Sequence, residues 1–154
     1  DPLQKHRQVA IINQEGNTSN HTGTECLNWA GSRSGKNFSV QGNLLTGPEV
    51  VEAMANSFKH SSGFLAERLI EALKAGQVAG GDKRGMQSAA LLIVKENWGY
   101  GGLNDRFRDL RVDDHSNPIQ ELNRIYKIHR KVFPRPDQHD KSKNRAEDHK
   151  KKDQ

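Results

Sequence analysis

Apolar residues recur along this chain at two spacings, and the switch between them marks out its elements. Residues 8–13 (QVAIIN) set Val9, Ile11 and Ile12 among polar neighbours and read as a strand. Glu15, Gly16 and Asn17 are turn residues, and residues 18–22 (TSNHT) alternate weakly, which predicts a hairpin. Residues 24–29 run into Gly31-Ser32-Arg33-Ser34-Gly35, a stretch of turn residues that predicts a loop. Residues 37–45 (NFSVQGNLL) predict the next strand, with Gly42 marking a bulge or a close backbone approach.

From Thr46-Gly47-Pro48-Glu49 the spacing becomes helical. Proline at a first helical position and an acid beside it suit the helix N-terminus, and Val50, Val51, Met54, Ala55 and Phe58 then share one face. Ser61-Ser62-Gly63 breaks this helix. A second follows with Leu65, Leu69, Ile70 and Leu73 on one stripe and Gly76 as its predicted stop. Residues 89–94 (AALLIV) are the most apolar run and predict a buried strand. Trp98-Gly99-Tyr100-Gly101-Gly102 forms either a lid or a plain connection. Residues 107–112 (FRDLRV) alternate with period two, Phe107, Asp109 and Arg111 against Arg108, Leu110 and Val112, which predicts a strand with one charged face. Asn117-Pro118 opens a third helix with Ile119, Leu122, Ile125, Tyr126 and either Ile128 or His129 inward, and Pro134 and Pro136 stop it. Three strands, two helices, two strands and a helix give an α+β or layered sandwich class rather than an alternating parallel sheet.

Composition alters this picture at the C-terminus. The 154 residues suffice for one core. Residues 8–133 read as one domain, and residues 134–154 as a charged tail without apolar periodicity, expected to be disordered. The net charge of +5 owes much to residues 141–154, where five lysines and one arginine face three acidic residues. The body has no long basic face, so nucleic acid is not an expected partner; a tail that touches an anionic surface is the exception considered. The single cysteine, Cys26, rules out an intrachain disulfide and fits a cytoplasmic protein without excluding a secreted or periplasmic one. No apolar run approaches the roughly 18 residues of a membrane helix, so no membrane partner is expected.

The chain has no P-loop, no dinucleotide-binding glycine pattern, no zinc spacing and no nucleophile elbow, so neither a cofactor nor a metal is predicted. Three polar constellations remain. Asp82, Arg84, Gln87 and Ser88 precede the 89–94 strand; the arginine could clamp a carboxylate with Asp82 holding it in place, and Ser88 could hydrogen-bond or attack a carbonyl. The plainer reading is a basic turn that leads into a core strand. Asp113, Asp114 and His115 end the second charged strand; they suit a cation or an oriented nucleophile, or are ordinary turn and cap residues, and only Asp113 and His115 can share a face. Gln41, Gly42 and Asn43 suit an oxyanion or substrate-amide site, or form a simple bulge. Cys26 beside Leu27 and Trp29 is a nucleophile only if a base lowers its pKa, and otherwise a small buried residue.

The segments HTGTECLNWAG (from His21), FSVQGNLLTGPEVVEAMA (from Phe38), GGDKRGMQSAALLIV (from Gly80) and DLRVDDHSNPIQEL (from Asp109) occur in this order. Together they resemble the bacterial family named domain of unknown function 1028, which is grouped by fold with the N-terminal-nucleophile (Ntn) hydrolases. The resemblance implies a four-layer αββα sandwich, incomplete here at its N-terminus, because members carry further strands upstream of the position matching Gln8. It implies an amide-bond hydrolase in the complete form, whose nucleophile lies outside this chain, so that the chain alone is inactive. The matching site positions are Gln41, Asn43, Asp82, Arg84, Gln87, Ser88, Asp113, Asp114 and His115. The partners so implied are a small-molecule or peptide-like substrate and either a missing N-terminal segment or a second copy in a homo-oligomer. The alternative is a non-catalytic ligand- or protein-binding domain that kept the sandwich.

Overall fold

Among the described residues four strands, two helices, two strands and a third helix follow one another, with short 3₁₀ turns at Gln4–His6 and Tyr100–Gly102. The computed structural model describes residues 1–137, which fall into two units, Asp1–Gln87 and the part from Ser88 onward. Among the described residues the strands pair as three two-stranded antiparallel sheets and there are three helices, a mixed α/β architecture. Residues 138–154, which hold most of the predicted tail and its basic run, lie outside the described residues.

In the first unit β1 (Gln8–Ile12) pairs with β2 (Thr18–Thr22) as the predicted hairpin. The next two strands are β3 (Gly31–Gly35) and β4 (Phe38–Gly42). The segment predicted as a loop is therefore a strand. Its Gly-Ser composition shows no apolar alternation, but a tight reversal at Asn37 (φ +67°) lays it against β4, whose Phe38 and Val40 supply the buried side chains. A side chain at Gly31 would strike the Trp29 ring, so the smallness of β3 is a packing requirement. β4 stops at Gly42, short of the predicted residue 45, because Leu44 turns to a positive φ of 56°. Gly42 keeps a regular register opposite Gly31 and is not a bulge. The two hairpins are laced by side chains: Gln8 Nε2 donates to the Gly31 (3.2 Å) and Gly42 (3.0 Å) carbonyls, and Ser39 Oγ bonds Asn20 Oδ1 at 2.6 Å.

The helices α1 (Glu49–His60) and α2 (Leu65–Val78) pack on each other and α1 packs on β3 and β4. Val51 and Ala55 of α1 close over Phe38 and Val40 with Trp29, Leu45, Met54 and Phe58 around them, and Arg33 of β3 pairs with Glu52 of α1. The contact stripe of α2 differs from the predicted one. Ala66, Ile70, Ala72 and Gly76 are buried, while Leu65 is exposed. Close helix approach selects small residues there: a Cβ on Gly76 would lie 2.6 Å from Met54 Cγ. Gly76 is thus a packing glycine inside the helix rather than its stop.

The second unit sets β5 (Ala89–Val94) against β6 (Arg106–Val112), with α3 (Pro118–Val132) packed on both. The apolar run predicts a buried strand, yet within β5 only Leu91 is buried; Leu92 and Val94 are 53 % and 62 % exposed. The helix covers one face of a two-stranded ribbon, so alternate side chains point away from it. On β6 the inward register is Arg108, Leu110 and Val112, all buried. Asn117 caps α3 through its Oδ1, Pro118 takes the first turn, and Pro118, Leu122 and Tyr126 form the buried stripe. Ile128 is exposed and His129 faces inward, where its Nδ1 accepts from Arg108 Nη1 at 3.1 Å. Burial and the Arg108 charge lower the His129 pKa from the usual value.

Ile70 is 1 % exposed and Val78, on the same helix, 89 %. Ile70→Ala is expected to cost about 2–5 kcal/mol in denaturant unfolding, and Val78→Ala less than about 0.5 kcal/mol. Because the folded pKa of His129 is depressed, the unfolded chain takes its proton first. The contribution of this histidine to stability is whole above about pH 6.5 and is lost as pH falls through the lower folded value. An NMR titration should place the His129 midpoint below about 6.5, and His129→Gln should weaken the fall in thermal midpoint between pH 7.5 and pH 5.5.

Candidate functional site

Helix α2 ends in a glycine turn that delivers the chain to a precise place. The Gly80 N–H donates to the Gln77 carbonyl (3.1 Å) and the Gly81 N–H to the Gly76 carbonyl (3.0 Å), the paired bonds of a Schellman motif. Gly80 has φ +122° and a Cβ there would collide with Thr46, so both conformation and space demand glycine. The residues that follow then run beside the segment leaving β4. Asp82 forms an antiparallel bridge with Leu45, Thr46 N–H donates to the Gly81 carbonyl (3.0 Å), and Lys83 N–H donates to the Leu44 carbonyl (2.8 Å). Lys83 Nζ reaches the Asn28 carbonyl at 3.0 Å. Two constellations far apart in sequence, Gln41-Gly42-Asn43 and Asp82-Lys83-Arg84, thereby adjoin.

At this junction Arg84 folds back on Asp82 as a two-pronged ion pair. Its Nε donates to Oδ1 (2.9 Å) and its Nη2 to Oδ2 (2.7 Å), while its own backbone N–H also donates to Oδ1 (2.8 Å). The hydrogen bond from Arg84 holds the Asp82 carboxyl below its usual range, and the same bond raises the guanidinium. The arginine is exposed, and its Nη1 has no protein acceptor among the described residues. On the β4 side, Asn43 Nδ2 donates to Gln8 Oε1 at 3.3 Å, and Gln8 Nε2 is bonded to Thr22 Oγ1 as well as to the two strand carbonyls. Gln8 therefore fixes the end of β4 and the Asn43 amide with it. Gln41 is exposed on β4. The backbone bonds thus set the segment of Arg84 beside the one that leaves β4, and each segment carries a held polar group: a guanidinium fixed by Asp82, of a kind that can bind a carboxylate, and an amide bonded to Gln8.

The other predicted residues are exposed or engaged locally. Gln87 and Ser88 are exposed and make no hydrogen bond among the described residues; Ser88 begins the second unit. Asp113 accepts from Arg111 Nε (3.2 Å) and Nη2 (2.9 Å) in an exposed pair, and His115 Nδ1 accepts from the Asn117 N–H (2.9 Å) in front of α3. Asp114 is exposed. Cys26 is half-buried with its thiol 3.5 Å from the Arg7 carbonyl. Among the described residues no group of three or more His, Cys, Asp or Glu side chains could hold a metal ion, and no helix is long and apolar enough to cross a membrane.

Three polar residues matter here that sequence patterning passed over. Gln8 opens β1, but its acceptors lie 23 and 34 residues away, and nothing local announces them. Lys83 reads in the sequence as one cation of a basic turn, and nothing local announces its bonds to Leu44 and Asn28. Arg108 left a visible signal, since it shares the two-residue register of Leu110 and Val112.

The comparisons with known proteins agree with this architecture. The model of the family of unknown function DUF1028 matches residues 1–122. The crystal structure of a Silicibacter pomeroyi protein of that family superposes with a TM-score of 0.73 at 30 % identity, over 84 % of this chain and 55 % of that one. The chain thus spans about half the length of this solved relative. Among curated proteins none matches. With four-fifths of its length under one family model and a solved member sharing its fold, the chain belongs to the family of unknown function DUF1028.

Proposed function

We propose that the chain is the substrate-positioning part of an Ntn-type amide-bond hydrolase whose complete form is a four-layer αββα sandwich. The observation that carries this reading is the junction at Asp82 and Leu45, which sets the segment of Arg84 beside that of Asn43, with Arg84 held by Asp82 and Asn43 bonded to Gln8. The four sequence blocks shared with an Ntn-grouped family support the chemistry. The exposed apolar residues of β1 and β5, Val9, Ile11, Leu92 and Val94, are the faces that further strands of such a sandwich would cover.

In this scheme a substrate carboxylate accepts from Arg84 Nη1, while Nε and Nη2 stay on Asp82 and keep the guanidinium plane fixed. Asn43 Nδ2 carries a second N–H beyond the one donated to Gln8, and that N–H orients the carbonyl of the bond to be cleaved. Gln41, exposed on the same strand end, lines the approach. The nucleophile is assigned to the part of the family fold that this chain does not match. The substrate class is then a small N-acylated amino acid or a peptide-like amide with a free carboxylate.

The test uses the full-length protein with N-acetyl amino acids and their methyl esters. A charge-assisted bond of about 1.5–3 kcal/mol predicts kcat/KM roughly 10–100-fold higher for the free acids. Arg84→Ala should erase that preference through KM with little change in kcat, and Arg84→Lys should restore part of it. Equal turnover of acids and esters would remove Arg84 from the site. Binding without turnover of any amide would identify a binding domain and overturn the hydrolase reading.

A further inference from the structure

The second unit contains a cleft of about 540 Å³, a size that suits a small organic ligand. Its walls are aromatic. Tyr100 stands edge-on to Phe133 (centroids 5.8 Å, 78°), Phe133 lies on His129 (4.9 Å), and Trp98 stands edge-on to Phe107 (4.9 Å, 80°). The glycine-rich turn that carries Tyr100 forms one lip, with Gly101 and Gly102 at positive φ. The residues that follow α3 form another, with Pro134 and Pro136 lining the cleft and Arg135 5.2 Å from the Trp98 ring.

Arg108 also lines this cleft and is only 2 % exposed. A guanidinium in that position normally has a carboxylate beside it, since a buried charge without one is strongly disfavoured. Here no carboxylate pairs with it among the described residues. Its Nη1 donates to the Phe107 carbonyl (3.3 Å) and to His129 Nδ1 (3.1 Å), its plane lies 3.7 Å over the Phe107 ring, and its other N–H groups have no protein acceptor among the described residues. The carboxylates of the unit that form ion pairs do so with other arginines: Asp109 with Arg106, Asp113 with Arg111, Glu121 with Arg124 and Asp137 with Arg135. None of these bonds explains why β6 places an arginine between the inward positions of a small core.

We infer that this cleft binds a small aromatic carboxylate, with its ring among Trp98, Tyr100, Phe107 and Phe133 and its anionic end on Arg108. A planar carboxylate matches the unpaired edge of the guanidinium, and aromatic walls suit an aromatic body. A monoanion would also neutralise this buried cation. His129, with Nδ1 as acceptor, holds the arginine in orientation and leaves that edge to the ligand. This site lies within the second unit and does not depend on the hydrolase reading of the first.

Calorimetric titration of the 154-residue chain with phenylacetate and with its neutral isostere phenylacetamide tests the assignment. Phenylacetate is expected to bind saturably and at least about tenfold more tightly than the amide. Its NMR shift changes should centre on residues 97–108 and 129–133. Arg108→Met should abolish the preference and leave the thermal midpoint unchanged or raised, because it removes an uncompensated buried charge. Arg108→Lys, which keeps the charge but not the fork, should retain only part of the preference. Arg84→Ala, in the other unit, should leave this binding as it is. Equal binding of the two probes, no binding of either, or shift changes centred on residues 82–84 would each overturn the proposal. A fall in thermal midpoint for Arg108→Met with the wild-type preference absent would give Arg108 a structural role instead.

Discussion

The left-handed glycine turn after α2 is the constraint on which the first unit depends. Without positive φ at Gly80 and Gly81 the helix could not close its last carbonyls and reverse within two residues. The reversal sets Asp82 against Leu45, and from that bridge follow the Lys83 contacts to Leu44 and Asn28 and the position of Arg84. Thr46 closes the space over Gly80, so the turn and the segment before α1 fix each other. A helix terminus, usually a place where backbone bonds are left to water, is here the joint that ties helices to strands.

Gln8 supplies the second half of that joint. A single side-chain amide satisfies carbonyls on β3 and β4, accepts from Asn43 and reaches Thr22. Partly buried and bonded at both its nitrogen and its oxygen, it locks two hairpins whose own sheets have only two strands each. Two-stranded ribbons are marginal by themselves, so side-chain bonds between them and the α1 face over Phe38 and Val40 contribute much of the order in this region. The second unit follows a different rule. Its ribbon is held by α3 through Leu122 and Tyr126, and the buried charge of Arg108 is oriented by an imidazole nitrogen that accepts from it.

Much of the element order could be read from apolar spacing. The β1–β2 hairpin, both helices of the first unit, the 89–94 strand and the Asn117-Pro118 start of α3 rest on local rules of turn, cap and period, and those rules act over a few residues. β3 could not be read that way, because Gly-Ser-Arg-Ser-Gly gains its strand conformation from the β4 backbone and from the Trp29 ring that excludes larger side chains. The role of Gly76 failed for the same reason: a glycine near a helix end looks like a stop until another helix is seen to press on it. For the candidate site, the proximity of Asp82 and Arg84 was implicit in their spacing, whereas the pairing of their segment with Leu44 and Leu45 was not.

The amino-acid sequence alone determined the period, the caps and the turns, together with the family to which four of its segments point, because these are written in residues that are neighbours along the chain. Tertiary structure decided which face of each element is buried, why Leu92 faces outward while Arg108 faces inward, and which distant segments pair. Those outcomes depend on bonds that span from 23 to 35 residues, as at Gln8, and on which face of a ribbon the helix covers. Side-chain alternation along a strand fixes two faces but does not say which one the rest of the chain will close upon.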